Sequence, residues 1–154
     1  WFGGVSLTIM HVPVIIGAIL EGPVVGAGIG LIFGLFSMLQ AAIAPSGPTD
    51  VWFTNPVLSV LPRLFIGPVA WLVYSALKRW PVPGILVSAI AGSLTNTVLV
   101  LGVIGLLGYL PWAALGGIAV VNGLPEIGIS ALIVLLVVAA LRQIRVGRKK
   151  GSSV

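Results

Sequence analysis

Cysteine is absent from this 154-residue sequence, and only 7% of its residues carry a charged side chain. The missing thiols exclude disulfide frameworks, thiol catalysis and cysteine-based metal or iron–sulfur sites. The scarcity of charge excludes an ordinary water-soluble domain, in which about 25% of residues are charged. The chain is apolar instead, with 58% hydrophobic residues and a mean hydropathy of +1.21. Its solvent is therefore a lipid bilayer.

Proline and glycine divide the apolar sequence into segments that can cross this bilayer. A helix needs about 20 residues to cross the hydrocarbon core, so the chain has room for several spans. We predict an all-α, polytopic membrane helix bundle that forms a single domain over residues 1–154. Its five spans are expected at 11–20, 24–44, 57–77, 84–107 and 118–141.

The positions of Lys and Arg predict the orientation of these spans. Lys78 and Arg79 lie in one turn, and five of the eight Lys and Arg residues lie in a basic tail, residues 142–154. Alternating spans put this turn and the tail on the same side, which the positive-inside rule makes cytoplasmic. The polar loop 45–56 and the turn 108–117 contain neither Lys nor Arg and are expected outside. A nucleic-acid-binding arm is disfavoured, because no aromatic residues alternate with the cations of the tail.

The first ten residues are expected on the outer side when five spans are counted back from the tail. They contain no basic region and no small-residue cleavage site, so they do not resemble a cleavable leader. We therefore expect one further helix before residue 1, which would make six in all.

Glycine recurs at four-residue spacing in the second span, at Gly26, Gly30 and Gly34. Small residues at this spacing let a second helix backbone approach closely. We interpret the stripe as a surface for helix packing or partner contact rather than for direct contact with a substrate.

Four charged or amide residues interrupt the spans: Arg63, Asn96, Asn122 and Glu126. Such side chains are costly in hydrocarbon and usually face the bundle interior or a wet cavity. At about 1.5 Å per residue, all four can meet in the outer half of the bundle. The sequence therefore predicts a pocket that opens to the outside beneath the polar and aromatic loop residues Asp50, Trp52, Phe53, Thr54 and Asn55.

Each of these residues also has a structural interpretation. Arg63 could extend to the outer interface or pair with Glu126, and Asn96 could join two helices by a hydrogen bond. Asn122 and Glu126 could accompany a break at the start of the last helix. His11 is interpreted as a residue that begins its helix rather than as a ligand contact.

Catalysis and cofactor binding find little support in the sequence. A single His without a partnered nucleophile is a poor base, and neither a carboxylate pair nor a metal-ligand spacing is present. No Gly-Lys-Ser or Gly-Lys-Thr stands at the end of a glycine-rich loop, so the chain is not expected to split ATP. The sequence favours a non-catalytic binding subunit without a metal or cofactor, whose energy comes from a partner.

Four segments carry a resemblance to a known family. The sequence resembles the substrate-specific S components of energy-coupling factor (ECF) transporters, most closely those specific for pantothenate. The segments that carry the resemblance are MHVPVIIGAILEGPVVGAGIGLIFGL, VLPRLFIGPVAWLVY, AGSLTNTVLVLG and VVNGLPEIGISALI.

This resemblance implies a six-helix fold in a prokaryotic plasma membrane, with ligand contacts from Arg63 and Asn96. It also implies that Trp52, Thr54 and Asn55 cap the pocket and that Asn122 and Glu126 line its far wall. The implied partners are a transmembrane coupling subunit and two ATPase subunits.

Three other functions stay open on the sequence alone. The first is an S component for another vitamin, such as folate or riboflavin. The second is a channel or structural bundle in which Arg63 and Asn96 only join helices. The third, an intramembrane enzyme that depends on His11 or Glu126, is the least supported.

Overall fold

The computed structural model describes residues 9–45 and 47–142, and this part of the chain is helical without a strand. The predicted all-α helix bundle is thereby confirmed. A short 3₁₀ helix spans Asp50–Thr54, and a π-helical segment spans Ala119–Gly123. The α-helices are α1 (Val12–Glu21), α2 (Pro23–Ile43), α3 (Pro56–Ser59), α4 (Leu61–Ala76), α5 (Pro81–Leu106), α6 (Trp112–Ile118) and α7 (Leu124–Leu141).

Within the described ranges, four apolar segments are long enough to cross a membrane: Pro23–Ile43, Pro56–Ala76, Pro81–Leu106 and Trp112–Leu141. Helix α1 has ten residues and is about 15 Å long, half of the roughly 30 Å hydrocarbon core. Its Val14, Ile15 and Ala18 are fully buried against the other helices. The first predicted span, 11–20, is thus a short, central helix. Most of the first ten residues and the basic tail beyond Arg142 lie outside the described residues.

Proline and glycine set the helix boundaries as the sequence predicts. Pro23 and Pro81 occupy the first turns of α2 and α5, where a missing backbone N–H costs nothing because it would have no helical partner. Gly22, between α1 and α2, has φ 105°, and Gly108, after α5, has φ 73°. Both values lie in the region that glycine adopts without a Cβ penalty.

The predicted turn at 108–117 is wrong in its second half. Helix α6 begins at Trp112, and the chain stays helical through the π segment into α7. Pro111 is extended, with ψ 145°, and ends the turn earlier than the two glycines at 116 and 117 suggested. The predicted loop 45–56 likewise contains the 3₁₀ helix, and α3 starts at its last residue.

The glycine stripe of α2 lies against the helical segment formed by α3 and α4. A Cβ on Gly34 would stand 2.8 Å from the carbonyl oxygen of Ser59 and from the Cα of Val60. A Cβ on Gly26 would stand 3.0 Å from the Cα of Gly67. Distances this short leave no room for a side chain, so the two helix backbones are nearly in contact.

Contacts at the two ends of the bundle fix which loops lie together. At one end, the rings of Trp52 and Tyr109 stack with centroids 5.2 Å apart, which brings the loop 45–56 beside the turn after α5. At the other end, Arg142 donates to the hydroxyl of Tyr74 and, over 2.7 Å, to the carbonyl oxygen of Ile19. The ends of α1, α4 and α7 therefore meet opposite the Trp52 end.

Candidate functional site

A cavity of about 160 Å³ lies at the Trp52 end of the bundle. Five of the seven residues predicted to bind substrate line it: Trp52, Arg63, Asn96, Asn122 and Glu126. The remaining lining residues are mostly apolar: Thr49, Phe53, Thr97, Val100, Leu101, Ile104, Leu110 and Ile118. Residues from three membrane-spanning segments and two loops thus surround a single space, as small-molecule sites in helix bundles do.

Arg63 is buried in the wall of this cavity, with only 4% of its surface exposed. Its guanidinium donates a 2.6 Å hydrogen bond to the carbonyl oxygen of Leu58 and lies 5.4 Å from the ring centre of Phe33 and 5.1 Å from that of Phe53. These rings attract the cation through their faces. The arginine therefore does not extend to the membrane surface. Its Nε has no hydrogen-bond partner among the described residues.

Asn96 lies on the cavity-facing side of α5 and is 7% exposed. Its side-chain oxygen is buried and accepts no hydrogen bond from residues 9–45 or 47–142. A buried acceptor without a donor costs about 1–3 kcal/mol. The oxygen therefore does not form the interhelical bond of the structural interpretation, and it faces a space where a ligand could supply the donor.

Asn122 and Glu126 reach the cavity from the junction of α6 and α7. Pro125 follows the π segment and cannot donate a backbone N–H, which disrupts the regular ladder at this point. A π segment widens one helical turn and often occurs at functional sites. The predicted break is thus a local widening of a continuous helix, and it accompanies two polar side chains in the cavity wall.

His11 joins Glu126 in a buried cluster that the sequence did not reveal. Its Nδ1 lies 3.3 Å from Oε1 of Glu126, and its Nε2 lies 2.9 Å from the hydroxyl of Ser93 and 3.0 Å from that of Ser130. His11, Ser93 and Ser130 are fully buried. The prediction that His11 only begins its helix was incomplete, because the residue also connects α1 to α5 and α7. Its one signal in the sequence is that it is the single histidine of the chain.

Thr54 and Asn55 lie beside the cavity but are not among its lining residues. Thr54 is exposed and donates a 2.7 Å hydrogen bond to the carbonyl oxygen of Val51. Asn55 accepts a 3.0 Å hydrogen bond from the backbone N–H of Val57 and so caps α3. Both side chains shape the loop that carries Trp52 and Phe53 to the cavity.

Gly26, Gly30 and Gly34 do not line the cavity, but one of them lies behind it. A Cβ on Gly30 would collide with the backbone carbonyl of Arg63. The stripe is therefore in contact with the segment that carries the arginine.

Comparison with known proteins identifies relatives over most of the chain. Residues 2–138 match the family model described as ECF transporter, substrate-specific component. The pantothenic acid transporter PanT of Lactococcus lactis subsp. cremoris is 34% identical over 164 aligned positions, covering 94% of this chain and 82% of that protein. The pantothenate transporter PanT of Leuconostoc mesenteroides subsp. mesenteroides is 33% identical over 76 positions, covering 49% of this chain and 37% of that protein.

Proposed function

This chain belongs to the family of substrate-specific components of ECF transporters, and we propose that it binds pantothenate in the cavity at the Trp52 end. The observation that carries the proposal is the buried guanidinium of Arg63 in the wall of a cavity that also contains Asn96, Asn122 and Glu126. A cation held in this way, with an Nε that lacks a partner among the described residues, suits a ligand carboxylate.

The chemistry of pantothenate matches the polar groups of the wall. Pantothenate has a carboxylate, an amide and two hydroxyl groups. Arg63 can donate to the carboxylate, while the oxygen of Asn96 can accept from the amide N–H or from a hydroxyl. Glu126 offers a further acceptor, and the side chains of Val100, Leu101 and Ile104 face the ligand's hydrocarbon groups.

The size of the cavity favours a small ligand over the larger vitamins. Its volume of about 160 Å³ lies below the roughly 300–1,000 Å³ that pockets for drug-sized ligands occupy. Pantothenate is a slender, open-chain molecule, whereas folate and riboflavin carry fused aromatic rings. Trp52 and Phe53 could stack on such rings, so the cavity disfavours these vitamins by their size.

The orientation of the bundle follows from charge. Lys78 and Arg79 lie in the exposed turn between α4 and α5, at the end opposite the cavity, and Arg142 lies at that same end. The positive-inside rule makes this end cytoplasmic, so the cavity takes its ligand from outside. Because the chain has no cysteine, Gly47→Cys and Lys78→Cys each create a unique thiol. An impermeant thiol reagent applied to intact cells should label the first and spare the second, and the reverse pattern would overturn the orientation.

Delivery of the ligand to the cytoplasm requires energy that this chain does not supply. The sequence lacks a Walker loop. A transmembrane coupling subunit and two ATPase subunits are therefore the proposed partners, and this chain acts as their non-catalytic binding subunit.

Competition binding tests the ligand assignment. The purified protein in detergent is incubated with radiolabelled pantothenate and with unlabelled pantothenate, folate or riboflavin as competitors. Saturable binding that only pantothenate displaces is expected. Displacement by another vitamin would change the assigned ligand but leave the proposed transport function in place. A lack of saturable binding to any vitamin would favour a structural bundle.

A further inference from the structure

His11 stands directly behind the cavity wall, in a place that its proposed ligand does not need to touch. Its ring is fully buried, and its Nδ1 lies 3.3 Å from Oε1 of Glu126, a residue of the wall. We infer that His11 is a positioning residue that holds the Glu126 carboxylate toward the hydroxyl end of the ligand and so sets selectivity for a hydroxylated substrate. This inference rests on the proposed function, because it takes pantothenate as the ligand.

Two serines fix the imidazole from its other edge. The hydroxyls of Ser93, on α5, and Ser130, on α7, lie 2.9 Å and 3.0 Å from Nε2. Ser130 follows Glu126 by four residues, so both project from one face of α7. Contacts on both ring nitrogens leave His11 little freedom to rotate. The position of the Glu126 carboxylate therefore depends on contacts among α1, α5 and α7 and not only on its own flexible side chain.

The role of this support follows from the cost of a buried carboxylate. An ionised carboxylate is stable inside a membrane protein only with a hydrogen-bonding or charged partner. His11 places its Nδ1 3.3 Å from Oε1 and so provides a polar partner from behind the wall. A carboxylate accepts hydrogen bonds and does not donate them, whereas the guanidinium of Arg63 donates and does not accept.

The two charged residues thus give the cavity wall one accepting and one donating group. A ligand with a carboxylate at one end and hydroxyls at the other matches these groups when its carboxylate meets Arg63 and its hydroxyls meet Glu126. An analogue of pantothenate in which both hydroxyls are replaced by hydrogen keeps the contact with Arg63 and loses the contacts with Glu126.

The matched variants His11→Asn and His11→Gln test the inference. The amide nitrogen of Asn can stand near the position of Nδ1, whereas that of Gln reaches the position of Nε2. The dissociation constants of pantothenate and of the dideoxy analogue are measured for each variant, with the unfolding temperature of the ligand-free protein as a check on folding. The positioning role is tested by selectivity, which a purely structural role would not change.

We expect the wild-type protein to prefer pantothenate over the dideoxy analogue by about tenfold or more. His11→Gln should lose about tenfold in affinity for pantothenate and keep its affinity for the analogue, while His11→Asn should retain most of the preference. Glu126→Gln should cause a similar loss, and its combination with His11→Gln should add little, since both changes remove one interaction.

Several results would overturn the inference. Equal losses for both ligands in His11→Gln, or additive losses in the double variant, would show that His11 only stabilises the bundle. If His11→Gln does not fold, Ser130→Ala provides the test. Loss of the serine hydroxyl should loosen the imidazole and reduce the preference for pantothenate over the dideoxy analogue. An unchanged preference would contradict the positioning role of His11. Failure of the wild-type protein to bind pantothenate would instead overturn the proposed function.

Discussion

Gly30 lies against the backbone carbonyl of Arg63, so the close packing of α2 on α4 also fixes the position of the buried arginine. The glycine stripe and the candidate site are therefore two parts of one arrangement. The stripe lets α4 approach α2, and this approach brings the guanidinium between the rings of Phe33 and Phe53.

Substitution of Gly30 should consequently affect both stability and binding. Gly30→Ala places a methyl group where the Arg63 carbonyl stands, and overpacking of this kind typically costs about 1–3 kcal/mol. We expect a lower unfolding temperature in detergent and weaker ligand binding.

Gly28→Ala is the matched control for this change, because a Cβ on Gly28 meets nothing within 4 Å. It should be neutral or raise the free energy of unfolding by up to about 1 kcal/mol, as expected for Gly→Ala in a helix. Equal effects of the two variants would contradict the packing role of the stripe.

Asn96 should show opposite effects on ligand binding and on stability. Asn96→Leu removes a buried oxygen that has no donor in the described part of the chain. The free energy of unfolding of the ligand-free protein should therefore rise by about 1 kcal/mol. The same change should weaken pantothenate binding by about tenfold or more, since a hydrogen bond to the ligand is lost.

Thr95→Val serves as the control at the adjacent position. The hydroxyl of Thr95 donates to the carbonyl oxygen of Ala91 within α5, and the residue does not line the cavity. Its affinity for the ligand should match that of the wild-type protein. A parallel fall of stability and affinity in Asn96→Leu would identify Asn96 as a structural residue.

Arg142 should matter for stability but not for the ligand. It donates to the carbonyl oxygen of Ile19 and to the hydroxyl of Tyr74, and its guanidinium lies 5.1 Å from the Tyr74 ring centre. Hydrogen bonds from a charged group contribute about 1.5–3 kcal/mol. Arg142→Gln should lower the free energy of unfolding by a comparable amount while the dissociation constant stays unchanged.

Arg79→Gln removes the same charge from the same end of the bundle, at an exposed residue. Thermal unfolding of the two variants in detergent separates the contacts from the charge. An equal loss of stability in Arg142→Gln and Arg79→Gln would mean that the hydrogen bonds of Arg142 contribute nothing to the free energy of unfolding.

The sequence was sufficient for the four long spans, because a helix that crosses lipid must be a long apolar segment and here such segments end at proline and glycine. It was also sufficient to predict that Arg63, Asn96, Asn122 and Glu126 meet around one space, since the rise of a helix is constant. It failed at the turn after α5, where a glycine pair inside α6 resembled a loop signal. In a continuous apolar helix, these glycines are tolerated.

The contacts around His11 could not be predicted for a different reason. His11 and Glu126 are 115 positions apart, and their meeting depends on how α1 packs between α5 and α7. Periodicity within one helix contains no information on such a contact. The hydrogen bonds that Thr54 and Asn55 form within their own turn could likewise not be read from the sequence, and their contact with a ligand stays a prediction.

The central claim is that Arg63 recognises the carboxylate of the ligand inside the cavity. The most direct test is equilibrium binding of pantothenate and of its analogue with a primary alcohol in place of the carboxylate, to the wild-type protein, Arg63→Gln and Arg79→Gln. Removing one partner of a buried charged pair costs about 2–5 kcal/mol, or roughly 30-fold and more in affinity. The wild-type protein and Arg79→Gln should both prefer pantothenate strongly, and Arg63→Gln should lose this preference. Undiminished preference for pantothenate in Arg63→Gln would contradict the claim.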